Sequence, residues 1–411
     1  MSIVTSAMPT TIVWFADPPT PSDPMTSPKR PKGAPHIAIV GAGIGGMTAA
    51  IALSRAGVAV TVFEQAGALG WVGQAINLAP NAVRALDELG LGDRIRRDAW
   101  RPSWRLSRDW QSGAITSRVE MADVAKERYG APMLTVHRAE LIAALADALP
   151  ADCLRTGHRL HEFADTGRSL RLAFDNGTHA PCDALIGADG IHSRVRQTLF
   201  GLHAPRYTGM IAWRGTVAAD IVARTHPAID LKPFTKWWGP TAQIQMVNFL
   251  ISGGRELFIF ATLPEPEPDR ESWSQIGDPQ VLRAGLAGFH PEARALLESL
   301  TQAYRTALYD RDPMPAWTRG RVSLLGDACH AMTPFMAQGA AMGIEDAIVL
   351  ARCLDGCSVA DIPAALDRYQ RSRLERASRI QKTSHDNQFL KTQDDADWVY
   401  GYDVRNAPLA A

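Results

Sequence analysis

The stretch HIAIVGAGIGGMTAAIALSRAGVAVTVFEQ, residues 36–65, constrains this chain more than any other. Residues 36–40 are a short apolar run suited to a buried parallel strand. They lead into Gly41-Ala42-Gly43-Ile44-Gly45-Gly46, then a small-residue helix over 47–56, Gly57, a second strand over 58–63, and Glu64. Gly41 permits the tight turn, Gly43 lets the backbone approach a pyrophosphate, and Gly46 lets helix and strand pack closely. The helix N-terminus offers free N–H groups and partial positive charge to the phosphates. Glu64 sits about 20 residues on, where a carboxylate takes a ribose hydroxyl. The parts fall in register and read as a dinucleotide site. A carboxylate at 64 favours an unphosphorylated ribose, hence NAD or FAD, and the fingerprint alone does not choose between them.

At 411 residues the chain is long enough for two domains with a sizeable core. Its 43 basic residues balance 43 acidic ones without a polybasic tract, so nothing suggests nucleic acid or an anionic membrane as partner. Five scattered cysteines, with no CxxC and no histidine at ligand spacing, argue against a disulfide framework or a zinc site and suit a reducing cytoplasm. No apolar run reaches the roughly 18 residues needed to span a bilayer. Residues 1–35, rich in proline, serine and threonine, read as a disordered leader, with Met25 as an alternative start.

Along the chain, a helix is expected over 82–89, a hairpin from 103–109 and 114–119, and a strand over 133–137 feeding Arg138 into a helix over 139–149. An apolar strand over 183–186 enters GADGIHSRVR (187–196). Near Tyr207 the character changes. Strands over 209–218, 234–238, 242–251 and 256–262 make a β-rich insertion in which Trp213, Trp237 and Trp238 cluster. A helical patch over 279–299 leads back to LLGDACHAMTPFMAQGAAMGIEDA, and an arginine-studded helix over 361–391 precedes the tail WVYGYD. Asp189 reads either as a helix cap or as part of a site, and Asp327 as an acceptor for sugar or ribityl hydroxyls. Gln338-Gly339-Ala340-Ala341 starts a helix whose bare first turn lets a flat ring lie against the backbone, its dipole stabilising negative charge.

GAGIGG…E, GADGIHSRVR and LLGDACHAMTPFMAQGAAMGIEDA, in this order, resemble the single-component FAD-dependent aromatic hydroxylases, the group of para-hydroxybenzoate and salicylate hydroxylases. KWW (236–238), MAQGAAM and WVYGYD look most like the members that hydroxylate hydroxynicotinate. The resemblance implies an α/β fold: a Rossmann-like FAD-binding domain (36–206 and 301–360), a β-rich substrate domain inserted at 207–300, and a C-terminal helical segment (361–411). It also implies residue roles. Gly41, Gly43, Gly45 and Gly46 would hold the pyrophosphate, with Glu64 and Gln65 at the adenosine ribose and Leu160 at the adenine end. Arg138 would lie near the cofactor, Asp189 in a motif shared by FAD and the nicotinamide donor, and Asp327 on the ribityl chain. Ala340 and Ala341 would offer N–H groups to a flavin carbonyl, and Pro334 would flank the reactive edge of the ring.

The implied reaction uses NADH and O2 through a flavin C4a-hydroperoxide to hydroxylate a small hydroxylated aromatic carboxylate, in a monomer or homodimer. Hydroxypyridine carboxylates of the hydroxypicolinate or hydroxynicotinate type come first and salicylate-type hydroxybenzoates second; a non-catalytic flavin-binding protein is the alternative of another class. Three histidine positions of the hydroxynicotinate enzymes are Asn77, Trp213 and Phe335 here. Asn77 can hydrogen-bond flavin or substrate but cannot act as a base. Trp213 and Phe335 are expected to pack over the ring, with Gln245 and Asn248 as substrate contacts or surface residues. These changes predict an isomer other than 6-hydroxynicotinate as the preferred substrate. His330 reads as a loop-bracing residue.

Overall fold

The computed structural model describes residues 34–69, 75–267, 274–392 and 395–411. Most of the leader and residues 70–74 of the loop after Glu64 lie outside them. The chain begins with β1 (His36–Val40), buried at every position, then α1 (Ile44–Arg55) and β2 (Ala59–Phe63). β3 (Ala75–Leu78) follows, then the hairpin β4 (Trp104–Asp109) and β5 (Ile115–Glu120), then β6 (Leu134–His137), which runs directly into α2 (Arg138–Asp147). A small three-stranded sheet over 160–182 precedes β7 (Ala184–Gly187) and α3 (Arg194–Phe200). Next come four long strands, β8 (Arg206–Ala218), β9 (Phe234–Trp238), β10 (Gln245–Ile251) and β11 (Glu256–Pro264), and later β12 (Ala303–Asp310). The chain returns through β13 (Val322–Leu324), α4 (Asp327–His330), α5 (Gly339–Leu354) and α6 (Ile362–Asp386).

These strands make two main sheets. In the six-stranded one, β1 lies between β2 and β7, all parallel, and β7 pairs in parallel with β13. Parallel pairing aligns the carboxyl ends of β1, β7 and β13, so the turns at Gly41, Ala188 and Gly326 leave the sheet along one edge, where open α/β sheets take their ligands. The eight-stranded sheet runs Ile276–Gly277, β12, β8, β11, β10, β9, β4, β5. The hairpin β4–β5 forms where expected, but it joins this sheet through a parallel pairing of β4 with β9. It does so although it lies within the stretch assigned to the first part of the nucleotide-binding domain.

Two smaller differences have local causes. The helical patch over 279–299 is two helices, Pro279–Gly285 and Pro291–Glu298, because Pro291 cannot continue a helix and instead starts one. The C-terminal helix stops at Asp386, where Asn387 turns left-handed (φ 49°).

One face of the eight-stranded sheet is covered by helices and carries its own apolar core, which includes Trp213, Trp237, Met246 and Leu296. The opposite face looks toward the carboxyl edge of the parallel sheet. The space between them is the cavity described next.

Candidate active site

A cavity of about 480 Å³ is lined on one side by Gly43, Gly45 and Gly46 of the first turn, Asp327 and Ala340. On the other side lies the open face of the eight-stranded sheet. The first turns of α1 and α5 line it, and neither has a side-chain cap. Each therefore presents uncommitted N–H groups and the positive end of its dipole to whatever fills the space. Gly41 adopts φ +105°, and a Cβ there would stand 2.3 Å from Ala188 O. A Cβ on Gly46 would stand 2.0 Å from Gly41 O, so no side chain fits at either place. Around Gly43 nothing lies within 4 Å of such an atom, which leaves its backbone open to the cavity.

Glu64 braces this turn. Its Oε2 accepts the Ala42 N–H at 2.8 Å and its Oε1 the Ala66 N–H at 2.9 Å. Arg138 heads α2 and lines the cavity; burial pushes its pKa down, and the carboxylate of Asp327 acts against that shift. Asp327 is exposed to the cavity, held on a turn whose preceding Gly326 has φ +64°. Asn77 on β3 also lines it, and its buried Oδ1 has no partner among the described residues. A glycine cradle, two uncapped helix ends, an arginine, a carboxylate and an orphaned amide oxygen fit the phosphates, polyol and ring edge of a flavin dinucleotide.

Not every expected residue reaches the cavity. Gly41, Glu64, Gln65, Leu160, Asp189 and Ala341 are not among its lining; Gln65 is exposed and Leu160 packs into the core. Asp189 braces the head of α3, whose N-cap is Ser193: its Oδ2 accepts the N–H groups of Arg194 at 2.7 Å and Val195 at 3.2 Å. Burial pushes its carboxyl up, and its Oδ1 has no partner among the described residues.

The sheet side is a floor of cross-strand rows. Arg214 on β8 pairs with Phe260 on β11, Phe260 with Val247 on β10, and Val247 with Lys236 on β9. In the next row Phe258 pairs with Phe249, Phe249 stacks on Phe234 at 5.0 Å, and Phe234 pairs with Arg105. Gln245, Pro334 and Phe335 line the cavity as expected.

Trp213 and Asn248 do not. Successive side chains of a strand point to opposite faces, so Trp213 sits in the helix-covered core between Ala212 and Arg214, which both line the cavity. The Arg305 guanidinium lies 5.5 Å from its ring. Asn248 likewise points away and accepts the Trp237 Nε1–H at 3.0 Å. Only Asn77 and Phe335 of the three histidine replacements therefore face the cavity, and the expectation about isomers rests on those two.

Residues missed from sequence are Arg214, Lys236, Arg105 and Tyr400, all cavity-lining. Arg214 is buried, donates to Thr306 Oγ1 at 2.6 Å, and has its pKa pushed down to about 10 by burial and the nearby Arg138. The available signal was a basic residue within a mostly apolar strand segment, as Lys236 is in FTKWW.

Behind the cavity, His330 Nε2 and Asp346 Oδ2 share a 2.6 Å hydrogen bond, and the same carboxylate oxygen accepts the Gly326 N–H at 3.1 Å. His330 thus braces the Asp327 turn. The Cys329 thiol approaches this pair but donates to Gly326 O and is pushed up by burial, so it belongs to the same brace.

The family model for an FAD binding domain matches residues 35–384. The sequence is 40% identical to a 6-hydroxynicotinate 3-monooxygenase of Bordetella bronchiseptica, over 92% of this chain and 98% of the relative. It is 35% identical to a 3-amino-4-hydroxybenzoate 2-monooxygenase of Streptomyces platensis, again over 92% and 98%. A solved salicylate hydroxylase substrate complex superposes with a TM-score of 0.79 at 26% identity, covering 93% of this chain and all of that one.

Proposed function

The chain belongs to the FAD-binding family of aromatic-ring hydroxylases, and on that premise we propose that it acts on a small hydroxylated aromatic carboxylate. A hydroxypyridine carboxylate of the hydroxypicolinate or hydroxynicotinate type comes first, since the relative at 40% identity acts on 6-hydroxynicotinate. Hydroxybenzoates come second, supported by the relative at 35%. The observation that carries the reading is the floor itself: Phe260 and Val247 line the cavity in one cross-strand row between Arg214 and Lys236, and the uncapped first turn of α5 lines the same cavity. An aromatic ring suits the middle of that row, and an acidic substituent suits its ends.

When bound, FAD reduced by NADH supplies the electrons that activate dioxygen. In this reading the chain does the rest by placement. The first turn of α1 would take the pyrophosphate, Asp327 the ribityl hydroxyls, and the start of α5, where Ala340 lines the cavity, would turn its N–H groups to a flavin carbonyl carrying charge. The phenylalanines of the floor exclude water from the reacting ring. Asn77 gives a neutral hydrogen bond, and Pro334 flanks the reacting edge. Five free thiols suit a cytoplasmic setting.

The test is NADH consumption by purified protein across hydroxynicotinates, hydroxypicolinates, salicylate and other hydroxybenzoates, with each product identified by mass. A hydroxylated product from a hydroxypyridine carboxylate, formed faster than from any hydroxybenzoate, is expected. A hydroxybenzoate as best substrate would move the second reading to first place, and turnover only of rings without a carboxylate would end both.

A further inference from the structure

Two cations reach the cavity from adjoining strands, and no carboxylate of the described residues is paired with either. Lys236 on β9 is 2% exposed and Arg105 on β4 4%. The strands pair in parallel, with Phe234 opposite Arg105 and Lys236 opposite Ser107. Lys236 Nζ donates to Asn387 Oδ1 at 2.8 Å and lies 3.6 Å from the centre of the Trp238 ring. Arg105 reaches Ser107 Oγ at 3.4 Å and the Phe234 ring at 5.9 Å. Burial pushes the Lys236 ammonium well below the ordinary lysine range, and Arg105 and Lys391 push it the same way. Beside it the Gln245 amide is 1% exposed, and its Nε2 has no partner among the described residues; its Oε1 faces Asn387 Nδ2 at 3.5 Å.

Three buried donors converge here, and buried charge is tolerated where it is paired. The missing partner is an anion that enters through the cavity. A carboxylate on an aromatic ring meets the demand: two coplanar oxygens for the donors, and a flat apolar body for Val247 and Phe260 below. Phe335 bounds the same space, its ring centre 5.7 Å from Lys236 Nζ.

We propose that Lys236, with Arg105 and Gln245, forms the subsite that holds the carboxylate of the aromatic substrate, at the end of the floor away from Arg214. The inference rests on the substrate class given under Proposed function. Lys236 and Arg214 occupy one cross-strand row, three strand spacings apart, or roughly 14 Å at the usual separation. A one-ring acid reaches one of them. Arg214 already donates to Thr306 and neighbours Arg138, which in turn feels Asp327, so it belongs to the cofactor side. Lys236 is the end left for substrate.

FAD-loaded enzyme is titrated with 6-hydroxynicotinate, 5-hydroxypicolinate and salicylate, and with 2-hydroxypyridine and phenol, following the flavin absorbance change. Lys236→Met removes the charge at similar volume. It should weaken the carboxylate ligands by about 30-fold or more, with the two neutral ligands and the FAD content unchanged; Lys236→Arg should restore part of the preference. Gln245→Glu, which puts a competing carboxylate beside Lys236, should give the same selective loss and serves if the methionine variant does not fold. Wild-type enzyme that prefers carboxylates, with the preference intact in both Lys236→Met and Gln245→Glu, overturns the subsite and leaves the substrate class standing. Loss of the preference only in Arg214→Gln places the carboxylate at the other end and also overturns it. Wild-type enzyme with no preference for carboxylates overturns the subsite and the substrate class together.

Discussion

Trp213 and Arg214 are adjacent in sequence and belong to different environments. Arg214 faces the cavity, whereas Trp213 is buried in the helix-covered core beside Gly277, where a Cβ would stand 2.4 Å from its ring. Substitutions at Trp213 and Phe335 should therefore part company, although the sequence alone suggests ring packing at both. Trp213→Ala leaves a cavity in a well-filled core and should cost about 3–5 kcal/mol of stability, read as a lower urea midpoint. Phe335→His should leave the midpoint nearly unchanged and alter the relative affinities of the aromatic acids. Ligand selectivity altered by Trp213→Ala at unchanged stability would contradict this assignment. At this scale the glycine turn was legible, because its φ angle and close contacts admit few residues. Which face of β8 looks inward was not. Parity depends on register with β11 and β12, and a strand buried on both faces carries no alternation to reveal it.

At the scale of elements, α5 and α6 are locked by buried charge. Arg373 lies 2.8 Å from Glu345 and 2.8 Å from Asp346, all three fully buried, while Arg376 forks onto Glu345 at 2.8 and 2.9 Å. Asn81 ties the cluster to the start of α5 by donating to both Glu345 and Gln338. Burial opposes ionisation of the two acids. The guanidiniums of Arg376 and Arg373 outweigh it at Glu345, and His330 and Arg373 outweigh it at Asp346, so both carboxyls sit below the usual range. A depressed folded-state pKa adds stability that is complete above the unfolded value and is lost as pH falls through the folded one. The urea midpoint should thus stay level from neutral pH down to about 5, then drop below about pH 4, where unfolded carboxylates begin to hold protons. Asp346→Asn, which strands Arg373 and His330, should cost about 3–5 kcal/mol at neutral pH and flatten the acid limb. An acid limb as steep as that of the wild type would show that other carboxylates cause it. The sequence announced α5 as a small-residue helix and α6 as an arginine-bearing one. It could not show that Arg373 and Arg376 turn inward, because their partners lie 27 to 31 residues away and no local pattern links them.

At the scale of the whole molecule, the cavity is walled by the carboxyl edge of one sheet and the face of another. The β1–α1–β2 unit, the order of the three motifs and the β-rich insertion were legible because each is written in contiguous residues. The parallel pairing of β4 with β9 was not, since it joins segments more than a hundred residues apart. The groups proposed to hold FAD are brought together only when the chain is folded: the turn after β1, Arg138 at the head of α2, Asp327 after β13 and the start of α5 all line one cavity. A ligand of that kind binds the native state alone, and its stabilisation grows with the logarithm of its concentration, reaching about 2.7 kcal/mol at a hundred times its Kd. Protein stripped of flavin should therefore melt several degrees below the FAD-saturated form, and Tm should climb steadily as FAD is restored. In the proposed cofactor site, Asp327→Ala would remove a charge-assisted hydrogen bond to the polyol. It should hold most of its flavin only at raised FAD concentration, with the Tm curve displaced to higher FAD and the stripped protein melting close to the stripped wild type. A stripped Asp327→Ala protein that melts far below stripped wild type would make Asp327 a residue of the fold, and full flavin content at wild-type FAD concentrations would remove it from the cofactor site.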